Sequence, residues 1–373
     1  MPPVYYHVGQ LFPPARIDWP RLMPLLGPTS AALARFDGVL AAIPNPDVLL
    51  SPLTTQEAVL SSRIEGTQTT MEEVLKYEAE GESPDKSSER VADILEVLNY
   101  RRAMNRALEL LKTLPLCQRV VKEAHSVLLA GVRGKNRNPG EYRTTPNWIG
   151  PAGCEIEEAR FVPIGADKLP EAMGRWEQFI HADFSDKLVQ LALLHVEFEA
   201  IHPFLDGNGR LGRMLVPLFL HQAKVLSRPV FYISSYLEAN RDEYYERLLA
   251  VSRQGDWTGW CVFFLEALVE QGRENQQKAQ KILELHQRML SDVPEWTRSQ
   301  YAPHAVELLF RNPIFRSSAF TASPEIPGPT ARRILSVLKR QGMLSVVRPA
   351  SGRRPATYAF RELLNIAEGH EVF

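Results

Sequence analysis

The chain has 373 residues, of which 45% are hydrophobic and 23% charged, and its formal net charge is −1. That balance predicts a soluble globular protein with two or three domains and a sizeable core. It excludes a chain-wide field toward nucleic acid or an anionic membrane, and no run of about 18 apolar residues suits a membrane span.

The N-terminal stretch MPPVYYHVGQLFPPARIDWP is proline-rich and lacks the basic start and apolar core of a signal peptide. The three cysteines, Cys117, Cys154 and Cys261, are odd in number and have no metal-ligand spacing, so they read as reduced thiols in a reducing compartment. Both features predict a cytoplasmic protein. Pro24 and Gly27-Pro28 are expected to break any early helix, with a helix following from Thr29 to Ala42 and a turn at Pro44-Asn45-Pro46-Asp47.

Thr54 and Glu57 have capping-box spacing and predict a short helix through Ala58, Leu60 and Ile64, ended by Gly66. On it, Ser61 and Glu65 are four apart and share a face, which by itself fits ordinary surface residues. Thr70 and Glu73 start a second helix through Tyr77, and residues 80–88 read as a polar loop. Helices are expected over 89–112 and 117–131. Residues 138–163 hold short β-prone pieces between glycines and prolines and read as a hairpin.

Helices over 168–181 and 186–201 lead to the stretch Ile201-His202-Pro203-Phe204-Leu205-Asp206-Gly207-Asn208-Gly209-Arg210-Leu211-Gly212-Arg213. Pro203 disfavours a continuing helix, Gly-Asn-Gly is turn chemistry, and apolar periodicity resumes at Leu211, Met214, Leu215, Leu218 and Phe219. A glycine-rich loop opening a helix suits a polyphosphate, because unpaired N–H groups and the helix dipole face the anion. Arg210 and Arg213 can fork onto terminal phosphates. Asp206 suits a Mg²⁺ bridging phosphates, and His202 suits a general base. The competing reading is a plain helix-capping loop with solvated arginines. His195, seven before His202, reads as structural, because no zinc-ligand spacing accompanies it.

A helix with Tyr244-Tyr245 follows, then a long helical stretch over 257–290. From 321 to 361 there are eight Lys/Arg against one Glu. A proline-started helix, Pro329 to Arg340, and a glycine-tipped basic hairpin around Arg348-Pro349-Ala350-Ser351-Gly352-Arg353-Arg354 suggest a winged helix and a nucleic-acid footprint. A winged helix used only for protein contact fits the same residues.

The stretch from His202 to Arg213 resembles the signature H-P-F-x-x-G-N-G-R-x-x-R of the Fic (Fido) family at every fixed position. The resemblance implies a mainly α fold: a helical Fic core with a β-hairpin flap, plus a C-terminal winged-helix domain. It suggests an N-terminal helical region over 1–110, a Fic core over 111–270, a bridging helix over 271–290 and a winged-helix-like domain over 291–373. The implied reaction moves AMP from ATP to a Ser, Thr or Tyr hydroxyl of a target protein, and to the enzyme itself, releasing diphosphate. His202 would be catalytic, Asp206 would hold Mg²⁺ (or Mn²⁺), and ATP would contact Glu65, Gly207, Asn208, Gly209, Arg210, Leu211, Gly212 and Arg213.

By the same resemblance, Tyr245 and Asn240 would line the nucleotide pocket, and the 138–163 hairpin would be the flap, where an edge strand can hold a target segment. Ser61 to Gly66 resembles the family's inhibitory motif [S/T]-x-x-x-E-[G/N], on a helix at about 54–66. Ser61, Glu65 and Gly66 would then be inhibitory, with Glu65 pairing with Arg213 and denying it to the γ-phosphate. Homodimers are a further family expectation, with no membrane partner. Two rival functions are a DNA-binding regulator whose Fic domain senses nucleotide and an enzyme that removes AMP at the same site.

Overall fold

A computed structural model describes residues 2–7, 11–81, 88–132, 137–151 and 153–371. The fold is mainly helical, as expected. The helices are, in chain order, α1 (Trp19–Ala42), α2 (Pro46–Leu49), α3 (Ser51–Ile64), α4 (Met71–Glu80), α5 (Ser88–Leu111) and α6 (Gln118–Leu128). They continue as α7 (Leu169–Ile180), α8 (Lys187–Ile201), α9 (Asn208–Gln222), α10 (Ser234–Ala239), α11 (Arg241–Gln254) and α12 (Trp257–Thr297). The last four are α13 (Ala302–Arg311), α14 (Ser317–Thr321), α15 (Gly328–Arg340) and α16 (Arg361–Glu368). The strands are β1 (Val4–Tyr5), β2 (Phe161–Val162), β3 (Ile314–Arg316), β4 (Ser345–Arg348) and β5 (Thr357–Ala359). Among the described residues no helix is long and apolar enough to cross a membrane.

Several expected boundaries move. Pro24 and Pro28 lie inside α1 and do not break it. Pro20, Pro24 and Pro28 are four apart, so the lost backbone bonds fall along one line of the helix. Thr29 Oγ1 donates to the Leu25 carbonyl, and buried Leu22, Leu33, Phe36 and Leu40 hold the helix by packing. Thr54 is not a cap, because α3 already begins at Ser51 and Thr54 Oγ1 donates back to Leu50. The second capping box is real: Thr70 Oγ1 accepts from the Glu73 N–H, and Glu73 accepts from the Thr70 N–H. Residues 82–87 of the expected polar loop lie outside the described residues.

The chain forms two compact units, each assembled from separated stretches. One comprises Met1–Asp37, Leu60–Thr67 and Leu98–Arg273; the other comprises Gly38–Val59, Gln68–Val97 and Glu274–Phe373. The change of unit between Arg273 and Glu274 falls inside α12, which runs unbroken from Trp257 to Thr297.

In the first unit α8 is buried on every side from Leu188 to Ile201, so it is a central helix with no amphipathic face. Asp186 caps it by accepting from the Leu188 and Val189 N–H groups. Indole N–H groups of Trp176 and Trp260 bond its Leu194 and Ala192 carbonyls. Helix α9 packs beside it, buried from Asn208 to Leu220. Among the described residues, the hairpin over 138–163 is reduced to one antiparallel bridge, Ile149 with Phe161. The N-terminal segment pairs its β1 in parallel with β2, Val4 opposite Phe161 and Tyr5 opposite Val162. Phe161 is thus flanked by β1 on one side and by Ile149 on the other.

In the second unit β3, β5 and β4 form an antiparallel sheet in that order, with Ile314 opposite Ala359 and Ser345 opposite Ala359 on the other side. Helix α13 precedes β3, α14 and α15 follow it, and the turn between β4 and β5 closes at the Ser351–Arg354 bridge. This element order is consistent with the expected winged helix. Val306, Leu309, Phe310, Ile334, Leu338 and Phe360 are among its buried residues. Glu80 of α4 accepts from Arg348 (2.6 Å) and from Thr357 (2.8 Å) at the base of the β4–β5 hairpin.

Candidate active site

The α8–α9 connection carries the candidate site. His202 caps α8 with left-handed backbone (φ 50°, ψ 61°), which aims its ring out of the helix line. Its Nδ1 lies 3.3 Å from the Glu199 carbonyl. A carbonyl can only accept, so Nδ1 carries the proton and the Nε2 lone pair is left to act as a base. Burial pushes the imidazole pKa down to about 4, so it is neutral at physiological pH.

The loop is closed from inside by Asn208. Its Oδ1 accepts from the Phe204 N–H, and its Nδ2 donates to the Phe204 carbonyl, both at 2.9 Å. The side chain therefore behaves as a backbone mimic, and only its main chain is left to face an anion. Helix α9 begins at Asn208, earlier than the apolar periodicity suggested, with Gly207 (φ 80°) as its cap. The first-turn N–H groups thus fall at the glycine-rich segment itself.

Arg213 is the best-held cation of the site. It is fully buried, and its Nε donates to Ser61 Oγ (2.9 Å) while its Nη2 donates to the Ser61 carbonyl (2.8 Å) and to Glu65 Oε1 (2.6 Å). Ser61 and Glu65 thus share a face of α3 and its C-terminal turn, and meet one guanidinium 152 and 148 residues away in sequence. Gly66 ends that turn with φ 100°. Burial pushes the Glu65 carboxyl up, but the Arg213 charge and hydrogen bond, with Arg210 behind them, outweigh it and hold the pKa below the usual range. Arg210 is also buried, and its Nη2 lies 3.3 Å from Asp206 Oδ1.

Two glycines of α9 are explained by the carboxylates beside them. A Cβ on Gly209 would stand 2.2 Å from Glu65 Oε1, and one on Gly212 would stand 2.1 Å from Glu199 Oε1. Gly212 thus makes room for Glu199, and Leu211 faces the core, 1% exposed. Neither presents a side chain to a nucleotide.

One pocket is lined by Glu65, His202, Gly209, Arg213, Tyr244 and Tyr245, together with Glu199 and the bridge pair Ile149 and Phe161. Tyr245 lies there and donates to the Ile64 carbonyl (3.4 Å). Asn240 does not line it: its Nδ2 donates to the Tyr236 carbonyl at the α10–α11 junction. His195 is structural, with Nδ1 donating to the Gly212 carbonyl and Nε2 accepting from Tyr244, and its ring stacks on Trp260.

Three functional candidates escaped the sequence reading. Arg143 is 2% exposed and spends its guanidinium on the carbonyls of His202, Ile201, Thr145 and Ile164. His125 accepts the Gly140 N–H at Nδ1 (2.7 Å), so its Nε2 carries a proton to the Asp206 carbonyl (3.0 Å), while its ring stacks on Phe204. Glu199 is a buried acid whose Oε1 has no hydrogen-bond partner, and burial raises its pKa to about 8 in spite of Arg213. The Gly140-Glu141-Tyr142-Arg143 spacing was a signal for Arg143; His125 and Glu199 look like ordinary helix residues in the sequence.

Residues 23–109 match the family model described as Fic/DOC family N-terminal, and residues 115–220 match that of the Fic/DOC family, together more than half of the chain. The chain belongs to the Fic/DOC family. It is 28% identical over 159 residues to proteins named protein adenylyltransferase Fic from Drosophila grimshawi and Drosophila willistoni. Those matches cover 42% of this chain but only 27% and 26% of the relatives, so the chain matches about a quarter of their length. Among solved structures, a Fic family protein from Desulfovibrio desulfuricans G20 superposes with a TM-score of 0.61 at 21% identity, covering 94% of this chain and 98% of the other. Fic-1 (residues 134–508) from C. elegans gives 0.52 at 17% identity, covering 72% and 75%. These two likenesses show the fold.

Proposed function

We propose that this protein is an adenylyltransferase that moves AMP from ATP to a hydroxyl of a target protein and to itself, and that Glu65 restrains it by holding Arg213. The observation that carries the reading is the 2.6 Å Glu65–Arg213 pair in the pocket that also holds the His202 ring. Nucleotide phosphates lie over the first turn of α9, where Arg210 and Arg213 take the terminal groups. The His202 Nε2 lone pair removes the proton from a Ser, Thr or Tyr hydroxyl. The freed oxygen bonds to the α-phosphorus as the bond to diphosphate breaks. Positioning and charge stabilisation carry most of the rate, as in phosphoryl transfer generally.

Asp206 is the residue that fits Mg²⁺. Its side chain is 42% exposed beside the loop, and no cluster of three or more His, Cys, Asp or Glu occurs among the described residues. One carboxylate with phosphate oxygens and water completing the shell is the usual magnesium arrangement. When bound, the ion neutralises phosphate charge.

Glu65 on Arg213 occupies the fork that a γ-phosphate needs, so ATP would seat displaced and its α-phosphorus would miss the line of attack. Incubation with α-labelled ATP tests this, using wild type, Glu65→Gly and Glu65→Gly/His202→Ala, alone and with cell lysate. Label should rise in Glu65→Gly and vanish in the double variant. Equal or lower label in Glu65→Gly, with transfer detectable in wild type, defeats the restraint. No transfer to any protein by either form defeats the enzyme reading.

A further inference from the structure

The C-terminal sheet and its helices contain a charged surface that adenylyl transfer does not use. Helix α15 buries Ala331, Ile334, Leu335, Val337 and Leu338 on one side. Its other side exposes Arg332, Arg333, Ser336, Lys339 and Arg340. The β4–β5 turn exposes Arg353 and Arg354 at a tip made by Gly352 (φ 56°) and closed by the Ser351–Arg354 bridge. No acidic residue occurs from Ile326 to Arg361.

These cations are not equivalent. Arg348 is neutralised by Glu80, Arg333 donates to the Thr297 carbonyl, and Lys339 sits over the Tyr358 ring at 5.0 Å. Arg332, Arg340, Arg353 and Arg354 have no carboxylate partner among the described residues. A folded surface that leaves four guanidinium groups uncompensated, on a helix and on a neighbouring turn, suits a polyanion with regularly spaced charges.

We infer that this face binds duplex DNA, with α15 in the major groove and the Arg353–Arg354 tip on the flanking phosphate backbone. Helices α14 and α15 stand in the order of a helix-turn-helix, whose second helix enters the groove. At a rise of about 1.5 Å per residue, α15 is roughly 20 Å long, and its one-sided burial leaves a polar face for a groove about 12 Å wide. Arginines also suit phosphate and guanine contacts better than lysines, because of their planar fork. The compositional neutrality of the whole chain hides this face, since its positive charge is local.

Fluorescence anisotropy of the full chain with a labelled mixed-sequence 25-base-pair duplex, between about 50 and 200 mM salt, tests the inference. Four phosphate contacts predict a slope of log K against log salt near −3.6, and each arginine removed should lessen it by about 0.9. The variant Arg332→Ala/Arg340→Ala/Arg353→Ala/Arg354→Ala should lose binding at every salt concentration while keeping the wild-type melting temperature. Arg→Lys at the same four positions should retain much of the salt slope, which separates charge from misfolding. No duplex binding at 50 mM salt overturns the inference, as does binding untouched by the four alanines. Equal affinity for single-stranded oligonucleotide overturns the groove placement.

Discussion

Replacing Arg143 by Met should damage both the stability of the first unit and the chemistry at His202. The guanidinium donates through Nε to the His202 carbonyl (2.9 Å) and through Nη2 to the Ile201 carbonyl (3.2 Å) and the Ile164 carbonyl, while the Arg143 N–H holds the Pro203 carbonyl (2.9 Å). No carboxylate among the described residues compensates it, and burial lowers its pKa only to about 10, so it remains charged at neutral pH. Met keeps much of the volume and leaves the His202, Ile201 and Ile164 carbonyls without that donor. At about 1–2 kcal/mol each, the loss is roughly 3–6 kcal/mol. Lys keeps the charge but cannot reach three carbonyls from one point, so Arg143→Lys should fall between. The turn held by these bonds also sets the left-handed His202 backbone, and a shift of about 1 Å there should slow transfer on the order of 100-fold. Urea unfolding reads the first effect, and labelled AMP incorporation in the Glu65→Gly background reads the second. A stability loss under about 1 kcal/mol with transfer within threefold would refute the reasoning.

Three other outcomes follow from the same geometry. Glu65→Gly leaves Arg213 buried without its carboxylate, so the variant should be less stable by about 2–3 kcal/mol, below the range of a fully buried pair because a third of Glu65 is exposed. ATP should then raise its melting temperature more than that of wild type, and an equal rise in both proteins counts against this. Gly212→Ala drives a Cβ toward the Glu199 carboxylate and should cost about 1–3 kcal/mol. In the Glu199→Ala background the same change should cost much less, and additivity in this double-mutant cycle refutes the contact. Glu199 holds its proton to about pH 8 when folded and releases it near 4.5 when unfolded. Its contribution to stability is therefore complete below about 4.5 and is lost as pH rises through 8, at up to about 1.4 kcal/mol per pH unit. Glu199→Gln should flatten the fall in unfolding free energy between pH 6 and 8.5, and an unchanged slope contradicts a buried neutral acid.

The loop from His202 to Arg213 was legible because its chemistry is contiguous, and the Ser61–Gly66 segment was legible through its resemblance to a family motif. What each side chain touches was not. Asn208 turns inward to the Phe204 backbone, Gly212 admits Glu199, and Leu211 enters the core, although all three sit in a stretch that reads as phosphate-binding. Asn240, carried by resemblance alone, caps a helix junction instead. Arg143 and His125 act on carbonyls 59 and 81 residues away, so the Gly140–Arg143 spacing can mark Arg143 but does not say what it holds, and His125 has no local mark at all. The same holds for the N-terminal strand, whose partner at Phe161 has no mark in a proline-rich segment. Pro24 and Pro28 misled because a helix can tolerate missing bonds when its apolar face is well packed.

The electrostatics of the pocket turn on one guanidinium between two acids of different state. Glu199, on the Gly212 side, is protonated near neutral pH because burial outweighs its attraction to Arg213. It therefore supplies little negative charge. Glu65, on the Gly209 side, is ionised and partly open to solvent, and among the described residues it is the carboxylate that bonds Arg213 directly. If Glu65 is drawn away, a buried cation is left with a neutral acid, two bonds to Ser61 and no counter-charge. Retaining that state is costly, and on the adenylyl-transfer reading a polyphosphate entering over α9 would relieve it. On the adenylyl-transfer reading, release of Glu65 and capture of nucleotide are thus energetically linked. The same desolvation that makes Arg213 hard to leave bare makes it strongly attractive to a γ-phosphate.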